Sequence, residues 1–219
     1  MSRLPLFPLG FVLFPGTQAP LHVFEERYRA LLRDVLAVDG GFGIMLPEVD
    51  GLPLPGSVGV SARVVTHQPM PDGRSNLLVE GVRRFTLGAL LDEPTPYPVG
   101  EVTYFDDQPA TRVIDPDAQR QLRGLADRCR TAMATLADAT ADSGWSDDPT
   151  IFSFQVAAAL PWEASQAAPL LAMRRTDERV ALLMRVLPGI VPDLEQRASV
   201  HHRAGSNGKG PHGVSAAAP

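Results

Sequence analysis

Glu25, Glu48 and Glu80 are the carboxylates that would suggest general acid–base chemistry if two of them met at one site. A chain of 219 residues with 25 acids offers such pairs by chance, and a catalytic pair needs a pocket that the sequence does not specify, so the three are read as structural. His22 and His67 fall in strand-like segments far apart in sequence. Without a third ligand type at metal spacing they read as ordinary strand residues. The single Cys129 excludes an intramolecular disulfide and any thiolate cluster. It lies on the apolar stripe of a helix, where a free cysteine behaves as a small buried hydrophobe. The one Gly-Lys pair, Gly208-Lys209, is followed by Gly210 in a polar tail that also holds His201, His202 and His212. It lacks the strand, loop and Ser or Thr of a phosphate-binding loop. The expectation is therefore no cofactor, no metal and no catalytic residue.

Composition narrows the partners. With 44% hydrophobic residues the chain can bury a substantial core. A net charge of -5 argues against a protein whose task is to neutralise phosphates, because affinity for nucleic acid scales with cationic contacts. No apolar run reaches the ~18 residues that a bilayer demands. The opening Met-Ser-Arg-Leu-Pro has no secretory signal pattern, which points to the cytoplasm.

The elements that must position any site follow from proline and hydrophobic periodicity. Pro5, Pro8, Pro15 and Pro20 remove backbone donors and keep residues 4 to 24 extended. Phe24, Tyr28, Leu31, Leu32, Val35 and Leu36 then recur at helical spacing, and Asp39-Gly40-Gly41 ends that helix. Phe42 to Leu46 is a short strand. Val58 to His67 and Leu77 to Glu80 form a hairpin across Pro71-Asp72-Gly73. Gly81 to Leu87 and Val99 to Phe105 add strands, with Gly81 at a corner where its backbone freedom is used.

From Asp115 the chain turns helical, with an apolar stripe at Leu122, Leu125, Ala126, Cys129, Met133 and Leu136. Asp148-Pro149 caps and opens a helix over 150 to 160, Pro161-Trp162 breaks it, a shorter helix follows to Met173, and Thr176 starts the last one. The expected organisation is a barrel lobe over 1–107, a helical bundle over 108–198 and a disordered tail over 199–219.

The blocks Leu4 to Leu9 (LPLFPL), Phe14-Pro15-Gly16, Pro20-Leu21 and Glu25 occur in an order that resembles the amino-terminal substrate-binding domain of Lon proteases. The resemblance continues through Val58 to Arg63, Leu78 to Phe85, Pro98 to Tyr104, Leu160-Pro161, Leu170-Leu171, Asp177, Arg179 and Leu183. It implies an α+β fold, a PUA-like and mostly antiparallel β-barrel with one early helix, followed by an α-helical bundle. It further implies recognition of protein substrates, in a stand-alone bacterial chain without the family's ATPase and peptidase domains.

On that reading the module is not an enzyme and binds unfolded or extended polypeptide, with a link to protein quality control. The candidate contacts are Phe14, Phe24, Glu25, Tyr28 and Arg84. Burial competes with binding at these positions: Phe24 and Phe85 read as core, Phe14 and Tyr28 stand between the two roles, and Arg83-Arg84 is expected to pair with nearby acids. Trp162 reads as a packing anchor and Trp145 as exposed. Two other functions fit a PUA-like barrel, RNA binding and a small-molecule site in the barrel mouth. The acidic balance speaks against the first, and no constellation of residues supports the second.

Overall fold

Proline density sets the first strands where the sequence predicts them. In the computed structural model, which describes residues 1–140 and 144–207, β1 spans Ser2–Pro8 and β2 spans Gln18–Val23. α1 follows over Glu26–Ala37, then β3 over Phe42–Met45, β4 over Val58–Pro69, β5 over Ser75–Leu91 and β6 over Val99–Tyr104. Four more helices follow among the described residues: α2 (Pro116–Leu136), α3 (Pro149–Ala158), α4 (Ala164–Ala172) and α5 (Thr176–Asn207). The fold is α+β with one mixed sheet.

The sheet runs β2-β5-β4-β3-β1-β6, and β6 also pairs with β5. The strands β5, β4, β3, β1 and β6 thus form a closed circuit of pairings. Among the pairs of these six strands only β1 with β3 is parallel. β2 pairs with the first part of β5, Gln18 opposite Glu80 and Val23 opposite Ser75. Pro20 stands in this edge strand, where a missing donor costs no ladder bond. Leu6, Phe42, Ile44, Val60, Val79, Phe85 and Val102 are buried on or beside the ring, and α1 adds Tyr28, Leu31, Leu32 and Val35.

The residues form two compact units that interleave in sequence. The first holds residues 1–114 and 145–181, the second the described residues of 115–144 and 182–207. The sequence reading places boundaries after residues 107 and 198, the first because composition changes there. Chain order does not reveal that α3 and α4 return to the sheet-bearing unit, with α4 packed near β4. In the second unit α2 buries Leu122, Ala126, Cys129 and Ala132, and Arg128 donates to both oxygens of Glu195 at 2.8 and 2.7 Å. α5 passes Pro188 and Pro192 and remains helical to Asn207. The first part of the segment expected to be disordered is therefore helix, and the rest, 208–219, lies outside the described residues.

Candidate functional site

A concavity of the first unit sits between the β1–β2 connection and the α3–α4 turn. It has a volume of about 450 Å³ and is lined on one side by Gly10, Phe11, Val12 and Phe14, and on the other by Ala157, Leu160, Trp162 and Ala167. Local chemistry explains both walls. Phe14-Pro15-Gly16-Thr17 is a tight turn in which the Thr17 amide donates to the Phe14 carbonyl at 3.2 Å, with Gly16 at φ +69, the geometry that asks for glycine after proline. The Thr17 hydroxyl donates to the Phe14 carbonyl at 2.8 Å and accepts from its amide at 3.3 Å. Opposite, Pro161 stops α3, and Trp162 Nε1 donates to the Ala157 carbonyl at 2.7 Å, closing the helix end. The α4 start is held by the Glu163 amide donating to Gln166 Oε1 at 3.0 Å. Glu163 is the one ionisable side chain among the described residues lining this pocket. Such a lining can take up apolar side chains, and it offers no acid–base pair.

Phe14 is the only member of the sequence-derived set that lines this pocket, and it does so as a core residue. It is buried and its ring stacks on Phe154 at 5.9 Å. Tyr28 is buried as well, stacked on Phe7 at 4.0 Å. Burial pushes its phenol up, Arg27 opposes the shift and Glu25 adds to it. Phe24 reverses the expectation of a core position: it is 60% exposed at the end of β2, stacked on His22 at 6.0 Å. The helical spacing that seemed to bury it does not apply, because the helix begins only at Glu26. Glu25 precedes α1 with its backbone extended, its carbonyl accepts from the Tyr28 and Arg29 amides, and its carboxylate accepts from Arg27 Nε at 2.9 Å.

Arg84 is buried at the foot of the α3 wall and is not available to a ligand in this arrangement. It donates to the carbonyls of Leu171 and Met173, at 2.9 and 2.5 Å, and to Asp107. Arg179, fully buried, donates from Nη2 to Asp107 Oδ2 at 2.5 Å and from Nε to Ser153 Oγ at 3.0 Å. Both guanidinium groups lie over the Phe154 ring, Arg179 at 4.0 Å and Arg84 at 5.1 Å. Desolvation pulls Arg84 below its ordinary value, and Asp107 opposes that pull. The expected pairing of Arg83-Arg84 with acids therefore takes a specific form, Arg83 with Asp106 and Arg84 with Asp107. Phe154 thus touches both Phe14 and the two buried arginines.

The family model for the ATP-dependent protease La (LON) substrate-binding domain matches residues 3–188 of this chain. The chain belongs to that family. The LON domain is similar to the Lon protease of Parabacteroides distasonis, 29% identical over 112 residues that cover 48% of this chain and 14% of that protease. It is also similar to Lon protease 2 of Myxococcus xanthus, 29% identical over 121 residues, 52% of this chain and 14% of that one. The matched stretch is thus a small part of each protease. Among solved structures, the Lon N-terminal domain protein from Xanthomonas campestris aligns with a TM-score of 0.64 at 27% identity, covering 85% of this chain and 99% of that one. The N-terminal domain of the Mycobacterium avium complex Lon protease shares the fold, with a TM-score of 0.62 at 20% identity, covering 85% and 98%.

The residues to which sequence reasoning gave no site role within this LON domain are Phe11, Val12 and Leu160 of the pocket, and Asp107 and Arg179, although Leu160 and Arg179 stand in the blocks that carry the resemblance. The first three look like any apolar residues beside prolines. Asp107 adjoins Asp106 in a stretch of polar residues, and nothing local distinguishes an acid that accepts from two buried arginines. Cys129 is buried as expected, and burial raises its thiol. His22 accompanies Asn76 and His67 accompanies Ser75, and among the described residues no three metal-ligating side chains cluster. Trp145, expected to be exposed, is half-buried and meets Phe152 edge-on at 5.7 Å. No helix among the described residues is long and apolar enough to cross a membrane.

Proposed function

We propose that this chain is a polypeptide-recognition module that holds an apolar stretch of an unfolded or extended chain in the pocket between the β1–β2 connection and the α3–α4 turn. The observation that carries this reading is the pocket itself, about 450 Å³ lined by Phe11, Val12, Leu160 and Trp162. Its size suits one or two bulky side chains. The β2 edge, with Pro20 and the exposed Phe24, supplies a second place for an extended chain to lie. Family membership supports a substrate-binding role, and the closed circuit of strands supports a PUA-like barrel as its scaffold. The module serves protein quality control in the cytoplasm and contributes binding rather than catalysis.

Ala158 lines the pocket and is exposed at the end of α3, so Ala158→Glu places a charge in the pocket without touching the core. Capture of a fluorescently labelled, permanently unfolded protein should weaken about tenfold, or ~1.4 kcal/mol, while circular dichroism and melting temperature stay unchanged. Undiminished capture by a folded Ala158→Glu protein would remove the pocket from the binding surface.

A further inference from the structure

We propose that the groove between α1 and the end of the β4–β5 hairpin receives the C-terminal residue of an extended polypeptide, its apolar side chain against Leu32, Leu36 and Pro69 and its terminal carboxylate on Arg29 and Arg33. This rests on the polypeptide-binding reading above and adds a chemically distinct subsite to it. The groove has a volume of about 390 Å³. One wall is a single stripe of α1, since Arg29, Leu32, Arg33 and Leu36 recur at i, i+3, i+4 and i+7. The other wall is the hairpin, through His67, Pro69, Gly73 and Ser75. Leu36 keeps 39% of its surface exposed and lines the groove.

Charge identifies the occupant. No carboxylate lines the groove, although the protein as a whole carries -5. Arg29 has no hydrogen-bond or ion-pair partner among the described residues, and its guanidinium lies directly against Gly73, where any Cβ would collide with it. Arg33 Nε pairs with Asp34 Oδ1 at 3.6 Å, with both side chains largely exposed, and Asp34 also accepts from the Tyr97 hydroxyl at 2.8 Å. Asp72, in the hairpin turn, is held by Arg74 Nε at 2.7 Å. The neighbouring acids are engaged, and two cations flank an apolar floor.

Arginine binds carboxylate through paired charge-assisted hydrogen bonds. In an extended chain successive side chains point to opposite faces, so an internal acid next to an apolar residue turns away from the surface on which that residue docks. A C-terminal residue carries its side chain and its carboxylate on one Cα. That adjacency matches Leu32 and Leu36 interleaved with Arg29 and Arg33.

The test uses the full chain and three labelled peptides of one sequence: one ending in leucine with a free acid, one ending in leucine amide, and the amide with Asp placed before the leucine. Fluorescence anisotropy should show the free acid binding ~tenfold tighter than either amide, about the scale of one charge-assisted contact. The preference should vanish in R29Q/R33Q, whose altered side chains are exposed and whose fold is checked by circular dichroism. Equal binding of acid and amide, an Asp-bearing amide that matches the free acid, or a preference that survives in R29Q/R33Q would each overturn the subsite. Ala158→Glu, measured in parallel, separates the two readings. If it weakens all three peptides equally while the acid shows no advantage, polypeptide binding stands and the C-terminal subsite falls; if no peptide and no unfolded protein binds the wild type, both fall.

Discussion

Fully buried Arg179 meets the partly exposed Asp107 through both terminal nitrogens, Nη1 to Oδ1 at 3.2 Å and Nη2 to Oδ2 at 2.5 Å. The same carboxylate also accepts from buried Arg84 and from the Thr176 hydroxyl. One acid thus ties the end of β6 to the start of α5 and to the α4 carbonyls that Arg84 holds. Removing it leaves two buried cations uncompensated. Asp107→Ala should cost at least about 3 kcal/mol, the lower end for breaking a buried ion pair, read as a lower urea midpoint. A loss under 1 kcal/mol would show that the arginines find other partners.

Phe14 and Phe24 should part in opposite directions from their sequence reading. Phe14→Ala opens a cavity against Phe154 and should lower stability by about 3–5 kcal/mol. Phe24→Ala removes an exposed ring and should stay within about 0.5 kcal/mol. Chemical denaturation of both variants checks the contrast. If Phe24 contributes to ligand capture, its variant loses affinity at unchanged stability, a separation that Phe14 cannot provide.

Gly81 should not tolerate a side chain. Its φ is not positive, so the corner geometry expected from the sequence is not the reason for glycine here. A Cβ at this position would collide with the Phe14 carbonyl, where the Pro15-Gly16 turn bridges to β5 through the Gly16 amide and the Gly81 carbonyl at 2.8 Å. Gly81→Ala should cost about 1–3 kcal/mol, as overpacking against a fixed backbone does, and should shift the melting temperature down by several degrees. An unchanged melt would mean that the turn moves freely.

The difference between the legible and illegible parts of this molecule follows the range of the interactions. Strand and helix positions were readable because prolines and periodic apolar residues act locally: Pro149 at the first helical position and the Asp148 carboxylate accepting from the Thr150 and Ile151 amides at 2.7 and 3.2 Å are found as expected. The α+β class and the family followed from blocks of such elements in order. Burial of Phe14 and exposure of Phe24 depend on which strand faces which helix, and the return of α3 and α4 to the sheet-bearing unit depends on contacts across the chain. The Arg84–Asp107–Arg179 cluster joins residues up to 95 positions apart. No window of sequence contains it.

The last prediction concerns alkaline pH. Tyr97 is buried and its hydroxyl donates to Asp34 Oδ2 at 2.8 Å. Desolvation first, and then this hydrogen bond, push its phenol up to about 12. The folded state therefore keeps its proton at a pH where the unfolded chain, with an ordinary phenol near 10, has begun to release it. The stability contributed by this tyrosine is complete below about pH 10 and is lost as pH rises from there toward 12, because the unfolded state gains by ionising. Tyr28, also raised by burial, adds in the same direction. The Tyr97 share is at most on the order of 2–3 kcal/mol, about two tenfold steps in proton affinity. Tyr97→Phe should flatten the fall in urea midpoint between pH 9.5 and 11.5 without removing it, since Tyr28 remains. A variant whose pH profile parallels the wild type over this window would show that the Tyr97 phenol titrates normally in the folded protein.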